Sequence, residues 1–99
     1  MIKHIVLFKF KSFLNDEEKS RKEQEIKAAL LALKEKIEIL QSIEVGLNTN
    51  PNEEYNLSLT TTFDKFEDIG VYARHPAHLE VVALIKDVKE KRACVDYEA

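Results

Sequence analysis

Two rhythms of hydrophobic and polar positions run along this chain, and their order predicts its architecture. Lys3 to Lys11, "KHIVLFKFK", carries His4, Val6, Phe8 and Phe10 on one side and Ile5 and Leu7 on the other. A strand that is apolar on both faces is a central one, covered twice. Asn15 followed three residues later by Glu18 marks a capped helix start, and Ile26, Leu30, Leu33 and Ile37 then recur at helical spacing. The first helix is therefore predicted over Asp16 to Ile37. Ile43, Val45 and Leu47 alternate with Ser42, Glu44 and Gly46, giving a second strand that the turn formers of "NTNPNEE" end. Tyr55, Leu57, Leu59, Thr61 and Phe63 alternate with Asn56, Ser58, Thr60 and Thr62, a third strand with one oily and one small polar face.

Asp64, with Glu67 three residues on, predicts the cap of a short helix anchored by Phe66 and Ile69. That helix must stop near His75, because Pro76 disfavours helical backbone in the residue before it. Proline is itself suited to the first position of the next helix, whose apolar positions include Leu79, Val82, Ala83, Ile85 and Val88. Arg92 to Tyr97, "RACVDY", reads as a fourth strand with Ala93, Val95 and Tyr97 on one side.

The order strand, helix, strand, strand, broken helix, strand is that of a ferredoxin-like βαββαβ protomer of the α+β class. Its helices cover one face of a four-stranded antiparallel sheet. The other face leaves Ile5 and Leu7 beside the Asn56, Ser58, Thr60 and Thr62 row, and burying such aliphatic side chains is worth roughly 1.5–3 kcal/mol each. A second copy of the sheet is the simplest cover, which predicts a homodimer joined through the open sheet face by a partly polar interface.

Composition narrows the class. With 99 residues, 44% hydrophobic and 33% charged, the chain is expected to form a single domain, 1–99, around one core. Its longest uninterrupted apolar run, Ala28 to Leu33, is far below the roughly 20 residues of a membrane span. Met1 to His4 lead directly into a strand pattern without a signal-peptide core, so a cytoplasmic location is expected. The 15 basic and 18 acidic residues leave a formal charge of −3, and no basic stripe gathers to receive a nucleic acid. Lys19, Lys22, Lys27, Lys34 and Lys36 alternate with glutamates on what reads as a solvated helix face. Cys94 is the only cysteine, which leaves no intrachain disulfide or cysteine-based zinc site, and its place in an alternating apolar strand predicts packing.

The candidate chemistry lies in "YARHPAH", residues 72 to 78. A metal would need His75 and His78 joined by His4, Asp64 or Asp96, and nothing in the spacing makes those converge, so no metal or cofactor is expected. Proton transfer is the sharper option. A histidine in the first turn of a helix feels the positive end of the helix dipole, which would keep His78 neutral and able to accept a proton. Tyr72 would then donate a hydrogen bond to a substrate carbonyl and stabilise the enolate. The plain alternative is that His75 caps a helix, Pro76 starts one, His78 packs, and Tyr72 is a core aromatic.

In this order and length, "KHIVLFKFK", "YARHPAH" and the terminal "VDY" resemble the stress-responsive dimeric α/β-barrel family, often called Dabb. The resemblance spans essentially the whole chain, and its most specific part is His-Pro-x-His within a broken helix. It implies ferredoxin-like protomers whose sheets pair face to face into a barrel. One plant polyketide cyclase of the family performs an aldol condensation without metal or cofactor, with a tyrosine and a histidine at the places of Tyr72 and His78. By the same resemblance His4, Val6, Phe8, Leu57 and Leu59 would border a ligand cavity between sheet and helices, and His75 is a further candidate for ligand binding. That cyclase lines its pocket with aromatics from the first helix, whereas Asp16 to Ile37 contains none here. The expected role is binding of a small apolar or aromatic ligand. Cofactor-independent cyclase or lyase chemistry, or a purely structural stress protein, are the alternatives.

Overall fold

The computed structural model describes residues 1–99, in the order β1 (Ile2–Phe10), α1 (Asp16–Leu31), α2 (Leu33–Lys36), β2 (Ser42–Leu47), β3 (Leu57–Phe63), α3 (Glu67–Arg74), α4 (Pro76–Lys86) and β4 (Lys89–Glu98). The strands form one antiparallel sheet ordered β2-β3-β1-β4, the ferredoxin-like arrangement expected from the element order. The doubly apolar strand β1 is central, with Val6 opposite Leu59 of β3 and Cys94 of β4. No helix is long and apolar enough to cross a membrane.

Alternation decides what each sheet face does. Val6, Phe8, Phe10, Leu57, Leu59 and Phe63 are buried on the helix side, where they meet Ile26, Leu30, Leu33 and Ile37 from the first helical stretch. The opposite face carries Ile5 and Leu7, paired with Val95 and Ala93 of β4 and with Thr60 and Ser58 of β3. Val95 is 54% exposed there, so the open face has an apolar half and a small polar half.

Asn15 caps α1 as its spacing predicts, accepting from the Glu18 N–H at 2.8 Å. The predicted first helix is interrupted only at Ala32, whose backbone stays right-handed helical, and it ends at the extended Ile37. Other expectations need correction. Asp64 caps nothing: α3 opens at Glu67 after a tight turn in which the Lys65 and Phe66 carbonyls accept from Asp68 and Ile69. The Asp64 carboxylate instead accepts from the Gln41 amide at 3.5 Å. Phe66 therefore lies outside the helix and is 61% exposed, not an anchor.

The phase of α4 also differs. With Pro76 as its first residue, Val81 and Ile85 are buried and Ala77, Leu84 and Val88 pack against the core, while Leu79 and Ala83 face outward and Val82 is partly exposed at the edge of a cavity. β4 starts at Lys89, three residues before the predicted Arg92. Cys94 is exposed on this edge strand, contrary to the packing expected of it. The two caps give a direct comparison: Asn15→Ala should lower unfolding free energy by about 1 kcal/mol, whereas Asp64→Ala should stay within about 0.5 kcal/mol of wild type, both read by urea denaturation.

Candidate functional site

Pro76 forces His75 into extended backbone, φ −63° and ψ 135°, and so ends α3 one turn after Tyr72. The His75 N–H donates to the Tyr72 carbonyl at 3.1 Å, and the His75 carbonyl accepts from Leu79 at 3.0 Å, so one residue closes one helix and opens the next. The His75 Nδ1 accepts from the Ala77 N–H at 3.0 Å. Its ring is thus engaged as an N-cap, the side-chain acceptor that an orphan helical N–H requires.

The same break brings Tyr72 and His78 together. Their ring centroids lie 4.4 Å apart, with Phe63 of β3 and His4 of β1 at 5.3 and 6.5 Å from the Tyr72 ring. His78 sits in the first turn of α4, and its Nδ1 donates to the Ala73 carbonyl at 3.0 Å. This bond places the ring proton on Nδ1 and leaves Nε2 with a bare lone pair. Burial lowers the His78 pKa below the ordinary value of 6.5. The Ala73 carbonyl pulls it back up, and electrostatic repulsion by His4, Arg92 and His75 lowers it further. Desolvation, rather than the helix dipole invoked from sequence, is thus the leading reason for a neutral imidazole.

Tyr72 is 1% exposed, and its hydroxyl has no hydrogen-bond partner among protein groups. A buried polar group left in this way costs roughly 1–3 kcal/mol. Desolvation also pushes its pKa up to about 12, so the phenol is a donor rather than a base.

Both rings border a cavity of about 210 Å³ between sheet and helices, lined by 14 residues of which 10 are hydrophobic. His4, Val6, Phe8 and Leu59 form its sheet wall, and Leu30, Ile69, Val81 and Ile85 close it from the helices. Two expected wall residues are absent. Leu57 is buried in the core beyond the cavity, and His75 is committed to its cap. Lys89 and Arg92 line the cavity as well, and no carboxylate does. Sequence reasoning passed over both, although strand alternation carried a signal for Arg92, which lies opposite Phe8 and so shares its face.

The proposed partners for a histidine metal site do not gather at "YARHPAH". The group of three potential ligands lies elsewhere: His4 Nδ1 is 2.5 Å from Asp96 Oδ1, and the Cys94 sulfur is 3.6 Å from each. Burial and then the Asp96 charge push the Cys94 thiol above its ordinary pKa, which disfavours it as a nucleophile.

These features define an α+β protein of ferredoxin-like topology with an apolar cavity beneath a broken helix. The chain belongs to the Stress responsive A/B Barrel Domain family, Dabb, which it matches over residues 2–99. It is similar to a dimeric protein of unknown function with a ferredoxin-like fold from Bacteroides fragilis, 45% identical, with a TM-score of 0.92 over 99% of this chain and 95% of that one. A Dabb family protein from Mesorhizobium loti is 23% identical, with a TM-score of 0.74 and coverage of 99% and 95%. A hydroxynitrile lyase from Passiflora edulis is 20% identical, with a TM-score of 0.79 and coverage of 97% and 90%. The last two show likeness of fold. None of the curated proteins compared with this sequence matches it.

Two outcomes follow from the site's electrostatics. Tyr72→Phe removes the orphan hydroxyl and should raise unfolding free energy by about 1 kcal/mol in ligand-free protein, read by denaturant titration. His78 has a depressed pKa in the folded chain, so its contribution is complete above the unfolded value of about 6.5 and declines as pH falls through the folded value. Thermal melts between pH 7 and 5 should show that decline, and His78→Gln should flatten it.

Proposed function

We propose that the cavity binds a small apolar or aromatic compound bearing a carbonyl or comparable acceptor oxygen. The unpartnered Tyr72 hydroxyl carries this reading, because Tyr72 lines the cavity and a buried donor without a protein partner would be satisfied by a ligand acceptor that reaches it. Size supports a single-ring compound. At about 210 Å³ the cavity exceeds the roughly 150 Å³ that holds benzene in an engineered core, and it is below the roughly 300–1,000 Å³ of drug-sized pockets.

Acid–base catalysis is the second reading, favoured by the free Nε2 of His78 beside the phenol donor. His78 would remove a proton α to the carbonyl while Tyr72 holds the developing enolate oxygen, and such positioned groups contribute roughly 10²–10⁴-fold. A hydroxynitrile lyase shares the fold, so a lyase is among the activities it hosts. Neither reading invokes a cofactor. A cytoplasmic setting fits the single exposed thiol of Cys94.

Calorimetric titration with acetophenone tests the binding reading. Tyr72→Phe should weaken acetophenone roughly 3–10-fold, the worth of one hydrogen bond, and leave toluene unchanged. Equal affinity of both probes for wild type and variant would refute it, and no thermal shift with any aromatic carbonyl would favour a purely structural role. His78→Ala separates the readings further: it should abolish turnover in an enzyme and change affinity only modestly in a binder.

The assembly we propose is a homodimer through the open sheet face, where Ile5, Leu7, Val95 and Tyr97 offer a continuous apolar patch. The relative from Bacteroides fragilis is described as dimeric, which supports this reading. Light scattering at micromolar concentration should return a dimer for wild type and a monomer for Val95→Asp. A wild-type monomer would remove the barrel.

A further inference from the structure

A second set of chemically active side chains converges where the first and last strands pair. His4 lies opposite Asp96 and Val6 opposite Cys94, so alternation along β4 brings Cys94 and Asp96 to the same face as His4. Their donor atoms form a small triangle. One edge is 2.5 Å, from His4 Nδ1 to Asp96 Oδ1, and the other two, from the Cys94 sulfur to each of those atoms, are both 3.6 Å.

Those edges can be compared with a tetrahedral zinc ion. Zinc–sulfur bonds of about 2.3 Å and zinc–nitrogen or zinc–oxygen bonds of about 2.0–2.1 Å imply sulfur edges of about 3.5 Å and a nitrogen–oxygen edge of about 3.3 Å. The two sulfur edges already match. The third is contracted by a hydrogen bond, and it needs to open by about 0.8 Å when the bridging proton gives way to a metal. Asp96 stands on an edge strand and is exposed, so its carboxylate has room to make that movement.

We propose that His4, Cys94 and Asp96 form a binding site for a divalent ion of the zinc class, with three protein ligands and a fourth position for water or a small molecule. Imidazole, thiolate and carboxylate together suit zinc, whereas magnesium and calcium select oxygen ligands alone. Two ligands at i and i+2 of one strand and a third on its paired neighbour are held by the sheet hydrogen bonds rather than by a loop. Exposure of Cys94 and Asp96 gives the ion an entry path. On binding, the Cys94 thiol releases its proton to solvent, and His4 transfers the proton on Nδ1 to Nε2. Affinity therefore rises with pH. A single cysteine is sufficient because nitrogen and oxygen complete the set, which counting cysteines alone could not reveal. This site does not depend on the cavity's ligand.

The test uses the full chain without an affinity tag, stripped with chelator and titrated with zinc alone by calorimetry and with cobalt by absorption. One ion per chain should bind, raise the melting temperature, and give cobalt spectra with intense four-coordinate bands and a thiolate charge-transfer band. Cys94→Ser and Cys94→Ala should weaken zinc at least about tenfold and abolish the charge-transfer band. His75→Asn, which keeps a capping side chain, should bind zinc as wild type does. Circular dichroism on each variant confirms the fold. Absence of saturable binding, zinc affinity unchanged in both Cys94 variants, or loss of binding in His75→Asn would overturn the proposal.

Discussion

The packing of Tyr72 against His78 and the sheet depends on one backbone constraint, the change of direction that Pro76 imposes between α3 and α4. A continuous helix would place residues six apart on different turns and different sides. Here His75 leaves helical backbone, its ring caps the new helix, and the rings of Tyr72 and His78 meet 4.4 Å apart. Phe63 packs against Tyr72 in an edge-to-face contact at 5.3 Å, an aromatic pair worth roughly 0.5–1.5 kcal/mol beyond its buried area. The break is thus held by both local hydrogen bonds and tertiary packing.

This constraint places two polar side chains side by side at the cavity wall. The Tyr72 hydroxyl is desolvated and unpartnered, and His78 is kept neutral with its Nε2 free. Both residues line a mostly apolar cavity, and Lys89 and Arg92 give its lining positive charge without a compensating carboxylate. The sheet serves two further ends. Its helix side carries His4 into both the cavity wall and the cluster with Cys94 and Asp96, while its other side presents the apolar patch of Ile5, Leu7 and Val95.

Much of this was legible in the sequence where one local rule acted alone. β1 and β3 follow simple alternation, Asn15 bonds the N–H three residues on, and Pro76 ends one helix and begins another as its ring geometry dictates. Legibility failed where two signals competed or tertiary placement decided. Asp64 matched a capping pattern, yet a backbone turn at Lys65 and Phe66 started the helix later. Leu79 is as apolar as Val81 and Ile85, and only the docking of α4 on the core selected which faced inward. Leu57 was oily and correctly placed on the helix side, but the cavity lies farther along the sheet. Cys94 read as a packing residue because alternation cannot tell an edge strand from a covered one.

The phenol of Tyr72 is buried away from solvent beside an imidazole that burial keeps neutral. A pH titration of the protein followed by the Cζ resonance of carbon-13-labelled tyrosine measures that environment directly. The Tyr72 signal should keep its phenol position well above pH 10.0 and move only at about 12. Ionisation of Tyr72 at the ordinary value of about 10 would place its hydroxyl in water and contradict the account.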